Sequence, residues 1–88
     1  MIHVKAADVR RAAALICHHG VRDEEGMSTI INEGIEAERY VELLVAVLMV
    51  YDCTVPVIHS PVGIAAMRRM IVDLAERAER EEREEANE

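Results

Sequence analysis

The side chains with chemistry to offer are few: Cys17, His18, His19, Cys53 and His59. Thiolate and imidazole are ligands that zinc favours, and a helix ending near residue 19 would carry Cys17 and His19 on its last turn, toward Cys53 and His59. The spacing argues against a metal site. There is no Cys-x-x-Cys and no His-x-x-x-His, so these residues match no finger or ribbon. In the plainer reading Cys17 and Cys53 are small buried residues and the histidines close a helix. A cysteine–histidine nucleophile would need an orienting acid and an oxyanion motif, and neither is apparent. No Walker loop, dinucleotide fingerprint or serine elbow is present, and Gly63 alone makes no phosphate loop. The expectation is a protein that is not an enzyme and holds no metal or cofactor.

The elements that would position anything are organised around Leu43–Tyr51, nine apolar residues in a row. A buried strand competes with a helix here, because a short apolar run has no diagnostic period. The preceding residues favour the helix: 35–42 is rich in helix formers and contains neither Pro nor Gly. The spacing predicts a helix over 35–52, amphipathic at first and apolar all round in its second half. Such a helix must be covered on every side. The run is too short to be a membrane span, which takes about 20 apolar residues.

Upstream, Val9, Ala12, Ala13 and Ile16 repeat at helical spacing and predict a helix over about 5–19. Asp8 near its start and His18 and His19 near its end suit the helix dipole. Gly20 is expected as a left-handed C-cap, with Val21 making the accompanying apolar contact. Residues 22–26 read as a charged loop, and 27–33 as a short helix with Ser28 or Thr29 near its start and Gly34 ending or bending it. Pro56, flanked by β-branched residues, makes 54–60 an extended linker. Ser60-Pro61 then opens a last helix with a serine N-cap and proline at the first position. Its stripe is Ile64, Met67, Ile71, Leu74 and Ala78, with Met70 alongside, and it is expected to run over 61–82.

The fold expected is therefore all-α: a small bundle of three main helices, about 5–19, 35–52 and 61–82, with a short one at 27–33. Residues 1–75 form one domain and 76–88 a charged helical tail, frayed at its end. The tail holds seven Glu and three Arg in thirteen residues, and pairs such as Glu76–Arg80 and Arg77–Glu81 stand one turn apart. With no Trp or Phe, the core must be built from Val, Leu, Ile, Met and Ala. So small a core favours completion by a second copy, and a homodimer is expected. The net charge of −7 disfavours direct nucleic-acid binding. Two cysteines and no targeting segment suggest the cytoplasm.

Ala7-Asp8-Val9-Arg10-Arg11-Ala12-Ala13, closing at His19-Gly20, resembles the first helix of small uncharacterised accessory proteins of actinobacterial phages and their hosts. That resemblance spans about one sixth of the chain and implies a context, a small accessory gene product, with no functional residue to carry over. The function expected is a small, self-associating, helical interaction protein that docks on another protein, a host protein if the context applies. Leu44, Val47, Leu48, Met67, Met70 and Ile71 are the candidate interface. The alternative is an acidic regulator that inhibits a nucleic-acid-binding protein or nuclease by charge mimicry.

Overall fold

A computed structural model describes residues 1–87; Glu88, the last residue of the expected tail, lies outside them. Helices α1 (Ala6–Gly20), α2 (Glu24–Glu36), α3 (Tyr40–Thr54) and α4 (Pro61–Ala86) account for most of the chain. A single 3-10 turn (Pro56–His59) precedes α4. The described residues contain no strand, so the protein is all-α. Two compact units divide the chain, Met1–Val55 and Pro56–Glu88, and the boundary expected at 75/76 falls inside the uninterrupted α4.

In the first unit α1 packs on both α2 and α3. Ala12 and Ala46, both fully buried, sit in one cluster with Leu43, and Val4, Val9, Val47 and Val50 pack around it. Alanines let α1 and α3 approach closely, and dispersion between tightly packed atoms is what such a contact gains. Against α2, the close approach is made at Gly34. A Cβ there would stand 3.0 Å from Leu43 Cδ2, tighter than ordinary contact. Ile30 is the other large buried aliphatic, and it too comes from α2.

Helix boundaries depart from the sequence reading in instructive ways. The helix expected over 35–52 is broken: α2 runs through Ile35 to Glu36, and α3 starts only at Tyr40. Glu38 takes a left-handed conformation (φ 58°). Its amide donates to the Ile35 carbonyl, and the Arg39 amide reaches the Gly34 carbonyl at 2.8 Å. This paired arrangement is a Schellman stop. The short helix expected at 27–33 is accordingly a full one. Asp23, not Ser28 or Thr29, caps it by accepting from the Gly26 amide at 2.9 Å, so the charged loop expected at 22–26 is mostly its first turn. Thr29 instead donates to the Glu25 carbonyl within the helix.

The first helix ends by the same device, with the left-handed residue two positions after Gly20. Arg22 is the left-handed residue (φ 58°), with its amide on the His19 carbonyl and the Asp23 amide on the His18 carbonyl. Gly20 stays in the helix, and Val21 is exposed. Both stops therefore use residues that disfavour this backbone conformation by about 1 kcal/mol relative to Gly.

The second unit is the 3-10 turn and α4. The linker expected at 54–60 is extended only in part: Thr54 closes α3, its hydroxyl donating to the Val50 carbonyl. Pro56 opens the 3-10 turn, where its missing amide hydrogen costs nothing. Ser60 is the N-cap as expected, accepting from the Gly63 amide at 3.1 Å, with Pro61 at the first position. Ser60 Oγ also donates to the Val57 carbonyl at 2.6 Å, tying turn to helix. A Cβ at Gly63 would run into the Val57 and Ile58 carbonyl oxygens, so glycine is required for this close approach.

Two outcomes follow for urea unfolding. Leu43→Ala is expected to cost about 2–4 kcal/mol, because it empties the centre of the first unit. Glu38→Gly is expected to stabilise by about 0.5–1 kcal/mol by removing the left-handed penalty.

Candidate interaction surface

Asp8 lies on the same helical stripe as Ala12 and Ile16, and its side chain is fully buried. Arg39 grips it with a two-pronged fork, Nη2 on Oδ2 at 2.6 Å and Nε on Oδ1 at 3.2 Å. The Lys5 amide donates to Oδ2 at 2.8 Å, and Arg11 stands 3.5 Å away. Arg39 Nη2 also donates to the His3 carbonyl at 2.8 Å, holding the N-terminal lead-in against the helices. The Arg39 hydrogen bonds, helped by the Lys5 amide, hold the Asp8 carboxyl down at about 2 despite its burial. Beside it, Glu33 of α2 accepts from Arg11 at 2.9 Å and from Arg10 at 2.5 Å. Those two bonds, Arg11's first, lower its carboxyl below the usual range. The cluster has both of its carboxylates held by arginines, Asp8 by Arg39 and Arg11 and Glu33 by Arg10 and Arg11. Its role is to join α1, α2 and the start of α3.

On spacing alone, Cys17, His19, Cys53 and His59 are weighed as metal ligands only to be set aside. Among the described residues no group of three or more His, Cys, Asp or Glu is placed to hold a metal ion. Cys17 and Cys53 are free thiols, and both are exposed, where burial was expected. Cys17, five residues on from Ala12, falls off the core stripe of α1. Cys53 continues the stripe of Leu43, Ala46 and Val50 and lies in the last turn of α3, beyond the buried cluster. His18 Nδ1 pairs with Asp23 Oδ2 at 3.0 Å across the α1–α2 turn. His19 joins Tyr51 at the rim of a shallow apolar cleft of about 240 Å³ that also includes Leu15, Ile16, Met27 and Val47. His59 belongs to the second unit, in the 3-10 turn.

What the first unit leaves uncovered is apolar. On α3, Leu43 and Ala46 face inward, while Val41, Leu44, Leu48 and Met49 are about half or more exposed, Leu48 at 65%. Spacings of three and four make 41, 44 and 48 one stripe, with Val45 and Met49 along its edge. The helix expected to be covered all round is thus covered on one side only, because its own unit supplies just two other helices. Val47 of the candidate set is different: half-buried, it packs on the core cluster. Next to Met49, a second shallow apolar cleft of about 280 Å³ is lined by Val9, Val50, Cys53 and Thr54.

In the second unit Met70 and Ile71 are more than half exposed, and Met67 is half-buried. Val62, Val72 and Leu74, not singled out by the sequence reading, are exposed as well. From Glu76 to Ala86 every residue of α4 is exposed. The glutamate–arginine pairs expected along it are not closed: no ion pair within 4 Å involves α4 among the described residues. No helix among the described residues is long and apolar enough to cross a membrane. Compared with known proteins, the chain matches no family profile, no curated protein and no solved structure.

The paired carboxylates set an acid limit on stability. Asp8 titrates near 2 in the folded protein and near 3.8 when unfolded. As pH falls through the unfolded value the unfolded chain takes up the proton first, so this contribution, complete at neutral pH, shrinks and is gone below about 2. Thermal melts between pH 5 and 2 are expected to show this loss. Asp8→Asn should melt several degrees lower at pH 7 and have a flatter acid profile. Arg39→Lys keeps the charge but not the fork, and is expected to lie between the two.

Proposed function

We propose that the chain is a small non-enzymatic interaction protein that associates with itself as a homodimer and, in that form, docks on another protein. The observation that carries this reading is the row of large apolar side chains standing open along α3. Scattered exposed aliphatics are ordinary on a small protein, whereas a contiguous stripe marks a surface used for association. Burial of each side chain now half-exposed returns on the order of 1 kcal/mol, and a symmetric contact counts every one twice. The resemblance of the first helix to phage and host accessory proteins supports a host protein as the further partner. Acting on such a partner places the protein in the cytoplasm.

A second reading rests on a different observation, the exposed glutamate-rich half of α4. There the chain would act as an acidic regulator, offering carboxylates to the basic groove of a nucleic-acid-binding protein or nuclease. Neutralising Glu79, Glu81, Glu84 and Glu85 to Gln separates the two. Self-association persists under the first reading, and inhibition of a basic partner is lost under the second.

The first reading is tested by light scattering on the purified chain. A mass of twice 9.9 kDa is expected, and Leu48→Glu combined with Ile71→Glu should return it to 9.9 kDa with the helical circular dichroism retained. A single-copy mass for the unaltered chain at high micromolar concentration would overturn the proposal.

A further inference from the structure

The stripe on α4 repeats with steps of three and four residues, the spacing of a coiled-coil seam. Written as heptads, Ile64, Ile71 and Ala78 fall at a, and Met67 and Leu74 fall at d. The flanking g positions are Met70 and Arg77, and the e positions Arg68, Ala75 and Glu82. We propose that α4 pairs with α4 of a second copy, parallel and in register, through these positions. The inference rests on the self-association proposed above and adds to it the element, the direction and the register.

Three observations select this occupant. The first is residue type: β-branched Ile at both leading a positions, with Leu74 at the central d, is the combination that favours two parallel strands. The second is charge. In a parallel pair each g residue lies beside the e residue five positions on in the partner, which sets Arg77 against Glu82 of the other copy, once on each side of the seam. An antiparallel pair built on the same stripe sets Arg77 near the partner's Met70 and forms no such bridge. The third is accessibility. Ile71 and Leu74 are 66% and 49% exposed, and neither Arg77 nor Glu82 holds an ion pair among the described residues. The seam is short. Glu81 and Glu85 occupy the next d and a positions, so the apolar seam ends at the Ala78 layer, after roughly 20 Å of helix, and the Arg77–Glu82 bridges close that end. Beyond Glu82 the two acidic ends diverge, which keeps the pair from extending into a longer rod.

Ala78→Cys in a chain carrying Cys17→Ser and Cys53→Ser tests direction and register together. All three positions are exposed, so folding is not at stake. In the proposed pair residue 78 meets its own copy, and mild oxidation is expected to convert most of the protein to a covalent dimer. In an antiparallel pair the two thiols would lie about 16 Å apart along the axis and would not join. Charge reversal gives the second readout. Arg77→Glu and Glu82→Arg are each expected to weaken association roughly three- to ten-fold, and the double reversal to restore it. A dimer by light scattering that neither cross-links nor responds to the reversals overturns this inference and leaves self-association standing. A monomer overturns both.

Discussion

The first unit depends on one bond, the fork by which Arg39 holds the buried carboxylate of Asp8. Arg39 is the residue just before α3, and Asp8 sits in the first turn of α1. Their pairing fixes where α3 begins, and it draws in the N-terminal lead-in through the His3 carbonyl. A carboxylate taken out of water without such partners would be strongly disfavoured, so the alternative in which α2 and α3 fuse into one long helix leaves Asp8 stranded. That constraint explains a break in a stretch whose local preferences are all helical. Tertiary pairing overrides propensity here.

Once α3 is held at that angle, its cover is limited. Ala12, Ile30, Leu43 and Ala46 are the buried apolar side chains, and two of them are alanines. Close helix approach through alanine and through Gly34 gives a tight contact but a thin one. The same geometry that brings α1 against α3 turns Leu44, Leu48 and Met49 outward. Small core and open apolar stripe are thus two consequences of a single arrangement, and the proposed second copy of the chain would answer both.

Much of this architecture is legible in the residues. The alanine-rich period of α1, the Ser60-Pro61 start of α4 and the all-helical class follow from spacing and capping chemistry, and the structure has all of them. The α2–α3 break was not legible, because a Schellman stop at Glu38 lacks the glycine that normally signals it. Gly20 misled for the converse reason: a glycine near a helix end need not be the left-handed residue. Asp8 offered a signal that went unread. A charged residue in register with Ala12 and Ile16 on an apolar stripe must be buried with a partner, and the unpaired basic residue just ahead of the greasy run was available. Exposure of Cys17 was likewise written in the phase of its helix relative to Ala12, whereas Cys53 is in phase with Ala46 and its exposure depends on how far the other helices reach along α3. Which apolar positions on α3 face out depends on how α1 and α2 lie across it, and no pattern along one helix contains that.

The central claim is that the apolar faces of α3 and α4 are covered by another molecule of the same chain. Amide hydrogen exchange measured across a wide range of protein concentration addresses it most directly, since protection that comes from association must grow with concentration while protection from the chain's own fold does not. The account expects protection along 62–78 of α4 to rise with concentration and that of α1 to change little. Protection that is independent of concentration over both helices would contradict it.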